Sequence, residues 1–186
     1  MDIDEVLLDA EERMDKSVRV FNEQLSKVRT GKASTGIVED VMVNLYGTEM
    51  PLKQAANIMA PETRLIVIQP YDKNAIPAIE KGIMQANLGL NPVNDGTVVR
   101  IAIPQLTEER RKEMVKVVHN YAEESRTAVR QIRRDANDTL KKLQKDSEIT
   151  EDEMHRTFDE VQKLTDDHVA QIDKRMEEKE AEILEI

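Results

Sequence analysis

Every helix-breaking residue in this chain lies in its middle. The six glycines (Gly31, Gly36, Gly47, Gly82, Gly89, Gly96) and the six prolines (Pro51, Pro61, Pro70, Pro77, Pro92, Pro104) all fall between positions 31 and 104. Residues 1–30 and 105–186 contain neither. Glycine costs a helix interior about 1 kcal/mol and proline about 3 kcal/mol relative to alanine. The two ends of the chain can therefore carry long uninterrupted helices, and the middle cannot.

The apolar spacing supports that division. Ile3, Leu7, Ala10, Met14, Ser17, Phe21, Leu25 and Val28 recur at steps of three and four, which places them on one helix face. A second helix is expected over 107–145, with Thr107 as N-cap and Glu108 and Glu109 in the first turn. Its stripe runs Val115, Val118, Ala122, Ser125, Val129, Ile132, Ala136, Leu140, Leu143. A third starts at Thr150-Glu-Asp-Glu153, a capping-box pattern. Its stripe is Met154, Phe158, Val161, Leu164, His168, Ile172, Met176 and Ile183, with a weak point near Lys179. No such helix can bury its stripe alone, so the three are expected to pack as an antiparallel bundle.

Between them, Val41–Leu45, Leu65–Gln69 and Val98–Ile103 read as strands, with a turn at Tyr46-Gly-Thr-Glu. Residues 74–87 have helical spacing, and Gly89 follows near the expected helix exit. The expectation is an α+β protein. Residues 1–29 and 105–186 form a long antiparallel three-helix bundle, and 30–104 form an inserted small β/α/β domain. Two chain crossings, at Arg29–Thr30 and Pro104–Gln105, join them and can act as a hinge.

Composition narrows the function. The chain has 186 residues and no cysteine, which excludes disulfides and zinc–thiolate sites. The acidic, amphipathic N-terminus lacks the features of a signal or transit peptide, and no apolar run nears the roughly 20 residues of a membrane span. A cytoplasmic protein is expected. Aromatic residues are few and tryptophan is absent, which disfavours base-stacking platforms for single strands. A formal net charge of −10 disfavours unselective polyanion binding.

No phosphate loop, HExxH or GxSxG occurs. His119, His155 and His168 lack metal-ligand spacing, and His168 falls on an apolar stripe, where a packed histidine is expected. The acidic clusters Glu151–Glu153 and Glu177-Glu178 have no calcium-loop pattern and read as solvated helix faces. Neither a catalytic set nor a cofactor or metal site is expected.

Charge, in contrast, is segregated. Residues 110–145 carry eleven basic groups against five acidic ones, whereas 146–186 carry five against fifteen. Within VRQIRRDAN (129–137) three arginines fall in five positions. With about 100° per residue and Arg126 at zero, Arg130 lies near 40°, Arg133 near −20°, Arg134 near 80° and Lys141 near 60°. Asn137 shares that arc, and the apolar stripe flanks it. Such a ridge suits RNA phosphates, because the arginine fork grips two oxygens at once. On pattern alone, internal pairing with the acidic third helix is the first expectation, RNA contact the second and a protein partner the third. A helical adaptor, binding a protein through an apolar stripe left exposed on the bundle, is the alternative of a different class.

The stretches VRTGKAS (28–34), LGLNP (88–92), LTEERRKEM (106–114), VRQIRRDAN (129–137) and VQKLTDDHV (161–169) resemble, in order, the bacterial ribosome recycling factor family. The resemblance covers essentially the whole chain. It implies an L-shaped, monomeric protein with the bundle and inserted domain described above. It also implies binding to the post-termination ribosome, along large-subunit rRNA near the inter-subunit bridges. With elongation factor G, which hydrolyses GTP, such a factor separates the subunits and has no active site of its own. By position, Arg130, Arg133 and Arg134 look like RNA contacts, and Arg111 is similar. Arg29, Gly31 and Lys32 match the segment at the joint. The family commonly has arginine where this chain has Lys32 and proline where it has Thr35. Lysine keeps the charge but lacks the two-pronged grip.

Overall fold

A computed structural model describes residues 2–185. Along the chain run α1 (Ile3–Ser26), β1 (Met42–Leu45), β2 (Thr48–Pro51), the short α2 (Leu52–Ala55), β3 (Ala56–Glu62), β4 (Leu65–Pro70), α3 (Ile76–Gln85), β5 (Pro92–Asn94), β6 (Val99–Ala102), α4 (Glu108–Lys145) and α5 (Glu151–Leu184). They form two compact units, one of Met1–Thr30 with Glu108–Ile186 and the other of Gly31–Thr107.

In the first unit three long helices pack together. Two begin with reciprocal capping boxes. Asp2 accepts from the Glu5 amide and Glu5 accepts from the Asp2 amide, both at 2.9 Å. At α5, the Glu153 amide donates to Thr150 Oγ1 at 3.2 Å, and the Glu153 carboxylate accepts from the Thr150 amide at 2.8 Å. The Thr150 amide and the Thr150 hydroxyl, both donating to this carboxylate, hold it below its usual pKa. Each cap satisfies backbone donors that an open helix end leaves unpaired.

The bond from Arg13 on α1 to Asp135 on α4 and the contact of Ser17 with Ser125 run in opposite chain directions. So do those of Arg126 with Asp173 and His119 with Glu180, between α4 and α5. Both pairs of helices are therefore antiparallel. The turn from α4 into α5 uses Ser147 with a left-handed φ of 59° where glycine is usual. Its amide bonds Gln144 O at 3.0 Å, and the Glu148 amide bonds Leu143 O at 2.9 Å. This pair of bonds closes a helix terminus in the Schellman manner.

The α4 stripe packs as its spacing implies. From Val118 to Leu143 every member is buried, and Val115 is half-buried. The other two stripes shift. On α1, Val6 and Val18 are buried, while Ile3, Leu7 and Val28 only pack against the edge of the core and Ser17 is half-buried. On α5, Thr157 and Thr165 enter the core, and Met154, Phe158, Leu164 and Met176 are half-buried. The threonine hydroxyls turn back onto their own helix, each donating at 2.8 Å to the carbonyl four residues earlier, so each buries its methyl without an orphaned oxygen. His168 is buried as a packed histidine. Its Nδ1 lies 2.6 Å from Leu164 O and its Nε2 2.9 Å from Asp15 on α1.

The second unit holds more strands than the three segments expected. β1 and β2 form a hairpin whose turn residues, Tyr46 and Gly47, have φ of 53° and 81°. Two successive left-handed residues match the twist of a two-residue hairpin. A separate antiparallel sheet has the order β3-β4-β6-β5. Ile66 and Ile68 of β4 and Val99 and Ile101 of β6 point into the core, where Ile76, Ile79 and Ile83 of α3 are also buried. The helix leaves through Asn87, with φ of 51°, two residues before Gly89, where the exit was expected.

Gly82 sets how closely α3 approaches β1. A Cβ there would stand 2.8 Å from both the Met42 carbonyl oxygen and Val43 Cγ1. Backbone on one side and a buried valine on the other leave little room to yield. Gly82→Ala is expected to cost about 1–3 kcal/mol, read as a lowered melting temperature by circular dichroism. An unchanged melting temperature would show that the helix can lift off the strand freely.

Candidate nucleic-acid interface

The arginines of the VRQIRRDAN stretch and their neighbour Arg126 share one long face of α4, but the fold treats them differently. Arg126 lies deepest, with its side chain 16% exposed. Its Nε donates to Glu123 at 3.0 Å, and another of its nitrogens pairs with Asp173 of α5. Burial opposes its charge, but hydrogen bonds to the two carboxylates outweigh burial and its pKa lies above the usual arginine value. It is a fixed internal tie between α4 and α5.

Arg133 is half-buried and donates to Gln162 of α5 at 2.9 Å, a neutral partner. Arg130 is 46% exposed and, among the described residues, reaches only Glu123 of its own helix, at 3.5 Å. Arg134 is exposed and makes no ion pair or hydrogen bond among the described residues. Lys141, about two turns further on, makes only a 3.4 Å contact with Asp138 among the described residues. The acidic third helix therefore ties down one arginine of four through a carboxylate. The pairing alternative accounts for Arg126 and leaves the outer ridge of Arg130, Arg134 and Lys141 turned to solvent.

Asp135, inside the same motif, points the other way. It accepts from Arg13 of α1 at 2.7 Å and from Gln131 at 2.8 Å, and these bonds hold its carboxyl below the usual range. The motif's one acid is thus occupied on the α1 side and does not neutralise the ridge. Asn137 has its Oδ1 enclosed without a hydrogen-bond partner among the described residues.

The remaining candidates stand elsewhere. Arg111 lies near the start of α4, about 28 Å along the helix from Arg130 at 1.5 Å per residue. It is half-buried, and its Nε is enclosed and without a hydrogen-bond partner among the described residues. Arg29 is exposed and Lys32 half-buried. Thr30 is half-buried, while Pro104 and Gln105 are exposed. Gly31 has a left-handed φ of 78°, and a Cβ on it would meet Leu106 Cγ at 3.3 Å. The two chain segments at the edge of the second unit therefore run against each other.

Sequence reasoning missed Glu123 and Gln162 as arginine partners. Glu123 was within reach, since it sits three and seven residues before Arg126 and Arg130, spacings that share a helix face. Gln162 was not, because its position depends on how α5 is rotated against α4.

Among the described residues no group of His, Cys, Asp or Glu could hold a metal ion, and no helix is long and apolar enough to cross a membrane.

Comparison with known proteins agrees over the whole length. The family model described as ribosome recycling factor matches residues 21–184. A ribosome-recycling factor of Geobacillus kaustophilus (strain HTA426) is 54% identical over 182 residues, covering 98% of both chains. One from Oleidesulfovibrio alaskensis is 51% identical over 184 residues, covering 99% of this chain and all of that one. A solution structure of a ribosome recycling factor superposes with a TM-score of 0.79 at 41% identity, covering 100% of this chain and 99% of the other. A T. thermophilus ribosome recycling factor, in models with E. coli elongation factor G bound to the E. coli post-termination complex, gives a TM-score of 0.65 at 46% identity, covering 99% of this chain and all of that one. The family match and the coverage of these relatives take in both units, and this chain belongs to the ribosome recycling factor family.

Proposed function

We propose that this protein recycles ribosomes after termination by docking the solvent face of α4 on large-subunit rRNA near the inter-subunit bridges. The observation that carries this reading is the division of the arginines. Arg126 is spent inside the bundle, whereas Arg134 and Arg130 present donors outward from a rigid helix, with Lys141 beside them. A helix so fixed loses little freedom on binding, and arginine forks suit phosphate oxygens. Arg133 joins the contact by exchanging Gln162 for phosphate. Arg111, Arg29 and Lys32 are further contacts by their family positions.

The partner is elongation factor G on the post-termination ribosome, as in the T. thermophilus comparison. Elongation factor G binds and hydrolyses GTP. This chain works in the cytoplasm as a monomer, supplies no catalytic group and uses no cofactor. Its second unit moves relative to the first about Arg29, Thr30, Gly31, Pro104 and Gln105, and that movement displaces the bridges.

The test is a light-scattering assay of subunit separation on post-termination ribosomes with elongation factor G and GTP. Separation should require this protein, and equal separation without it would refute the reading. Ribosome binding should also weaken steadily with salt, because each neutralised phosphate releases counterions with a logarithmic slope of about −0.7 to −0.9. Equilibrium binding at several salt concentrations checks this. A flat response would point to the apolar contact of a protein adaptor.

A further inference from the structure

Glu123 stands inside the basic face. One oxygen accepts from Arg126 Nε at 3.0 Å, and the other lies 3.5 Å from Arg130 Nη1. A single carboxylate thus bridges two arginines, one fixed and one outward. On the helix it lies near 60°, between Arg130 near 40° and Arg134 near 80°, at about 100° per residue. It is 58% exposed, so an incoming group can reach it. The Glu123 carboxylate lies beside a guanidinium nitrogen that a phosphate oxygen would otherwise approach.

We propose that Glu123 is a specificity-determining residue, a built-in competitor that occupies Arg130 until an RNA surface displaces it through several contacts at once. This rests on the docking reading above. A stray RNA strand that engages Arg130 alone must displace Glu123 and then remain beside its negative charge. An RNA surface shaped to meet Arg130, Arg134 and Lys141 together offsets that repulsion with additional phosphate contacts. Repulsion of this kind lowers wrong binding more than right binding.

The experiment measures equilibrium binding of the full chain to two ligands, an unrelated RNA duplex and intact ribosomes. It compares wild type, Glu123→Gln and Glu124→Gln. Glutamine keeps glutamate's helix preference. Glu124 is exposed, forms no arginine pair among the described residues and faces about 100° further round, so its variant removes the same charge without touching the ridge. Glu123→Gln is expected to tighten duplex binding about 5-fold or more, with a salt slope steeper by about one counterion. Ribosome binding should tighten by a clearly smaller factor, and Glu124→Gln should change both by less than about 2-fold. No tightening with Glu123→Gln overturns the proposal. So does an equal factor for both ligands, or the same gain from Glu124→Gln. Failure of the docking reading is separate: it would appear as unchanged ribosome binding by Arg134→Ala, whatever Glu123 does.

Discussion

Arg134→Ala is expected to weaken ribosome binding by about 1–3 kcal/mol, some 5- to 150-fold, and to reduce the salt slope by about one. Arg134 makes no ion pair or hydrogen bond among the described residues, so its loss leaves none of them without a partner. The melting temperature should therefore stay within about a degree of wild type, as for most exposed substitutions. Arg133→Ala should weaken binding by a similar factor, because it gives up only a neutral bond to Gln162. Arg126→Ala should behave oppositely. It strips Asp173 and Glu123 of a half-buried partner, so stability falls first and binding follows. Co-sedimentation beside thermal melts separates the two patterns. Unchanged binding by both Arg133→Ala and Arg134→Ala would remove the VRQIRRDAN ridge from the interface.

A covalent link between the two units should abolish subunit separation while sparing docking. The chain has no cysteine, so one engineered cysteine in each unit gives a single defined crosslink. If movement about the two crossings displaces the bridges, a short linker blocks separation and a long flexible one restores it, while ribosome binding stays at wild-type level throughout. Separation by the short-linked protein at the normal rate would refute the hinge. Loss of binding together with separation would place the defect in docking instead.

These two results rest on features that were unequally visible in the residues. The α4 stripe from Val118 to Leu143 could be read directly, because a breaker-free amphipathic helix has one way to bury its apolar face. On α5 the same logic fell short at Thr157 and Thr165. Threonine counts as polar in a pattern, yet it buries its methyl once its hydroxyl is returned to the backbone. Strands β3 and β5 escaped notice for a related reason. They carry Pro61 and Pro92 and lie at the sheet's edges, where proline is tolerated and the alternation of one buried face fades. At the interface, the angular position of each arginine followed from helical geometry alone. Which of them α5 would claim did not, since that depends on packing between helices far apart in the chain. Membership of the recycling factor family was legible through the run of motifs. Composition alone left pairing, RNA and protein partners open.

On the proposed reading the outward ridge of α4 lies on large-subunit rRNA. Hydroxyl-radical footprinting of ribosomes with the wild-type protein, and with Arg130, Arg133 and Arg134 all changed to alanine, tests it most directly. The wild type should protect large-subunit rRNA near the inter-subunit bridges, and the triple variant at equal protein concentration should not. Protection that persists unchanged in the triple variant would contradict it.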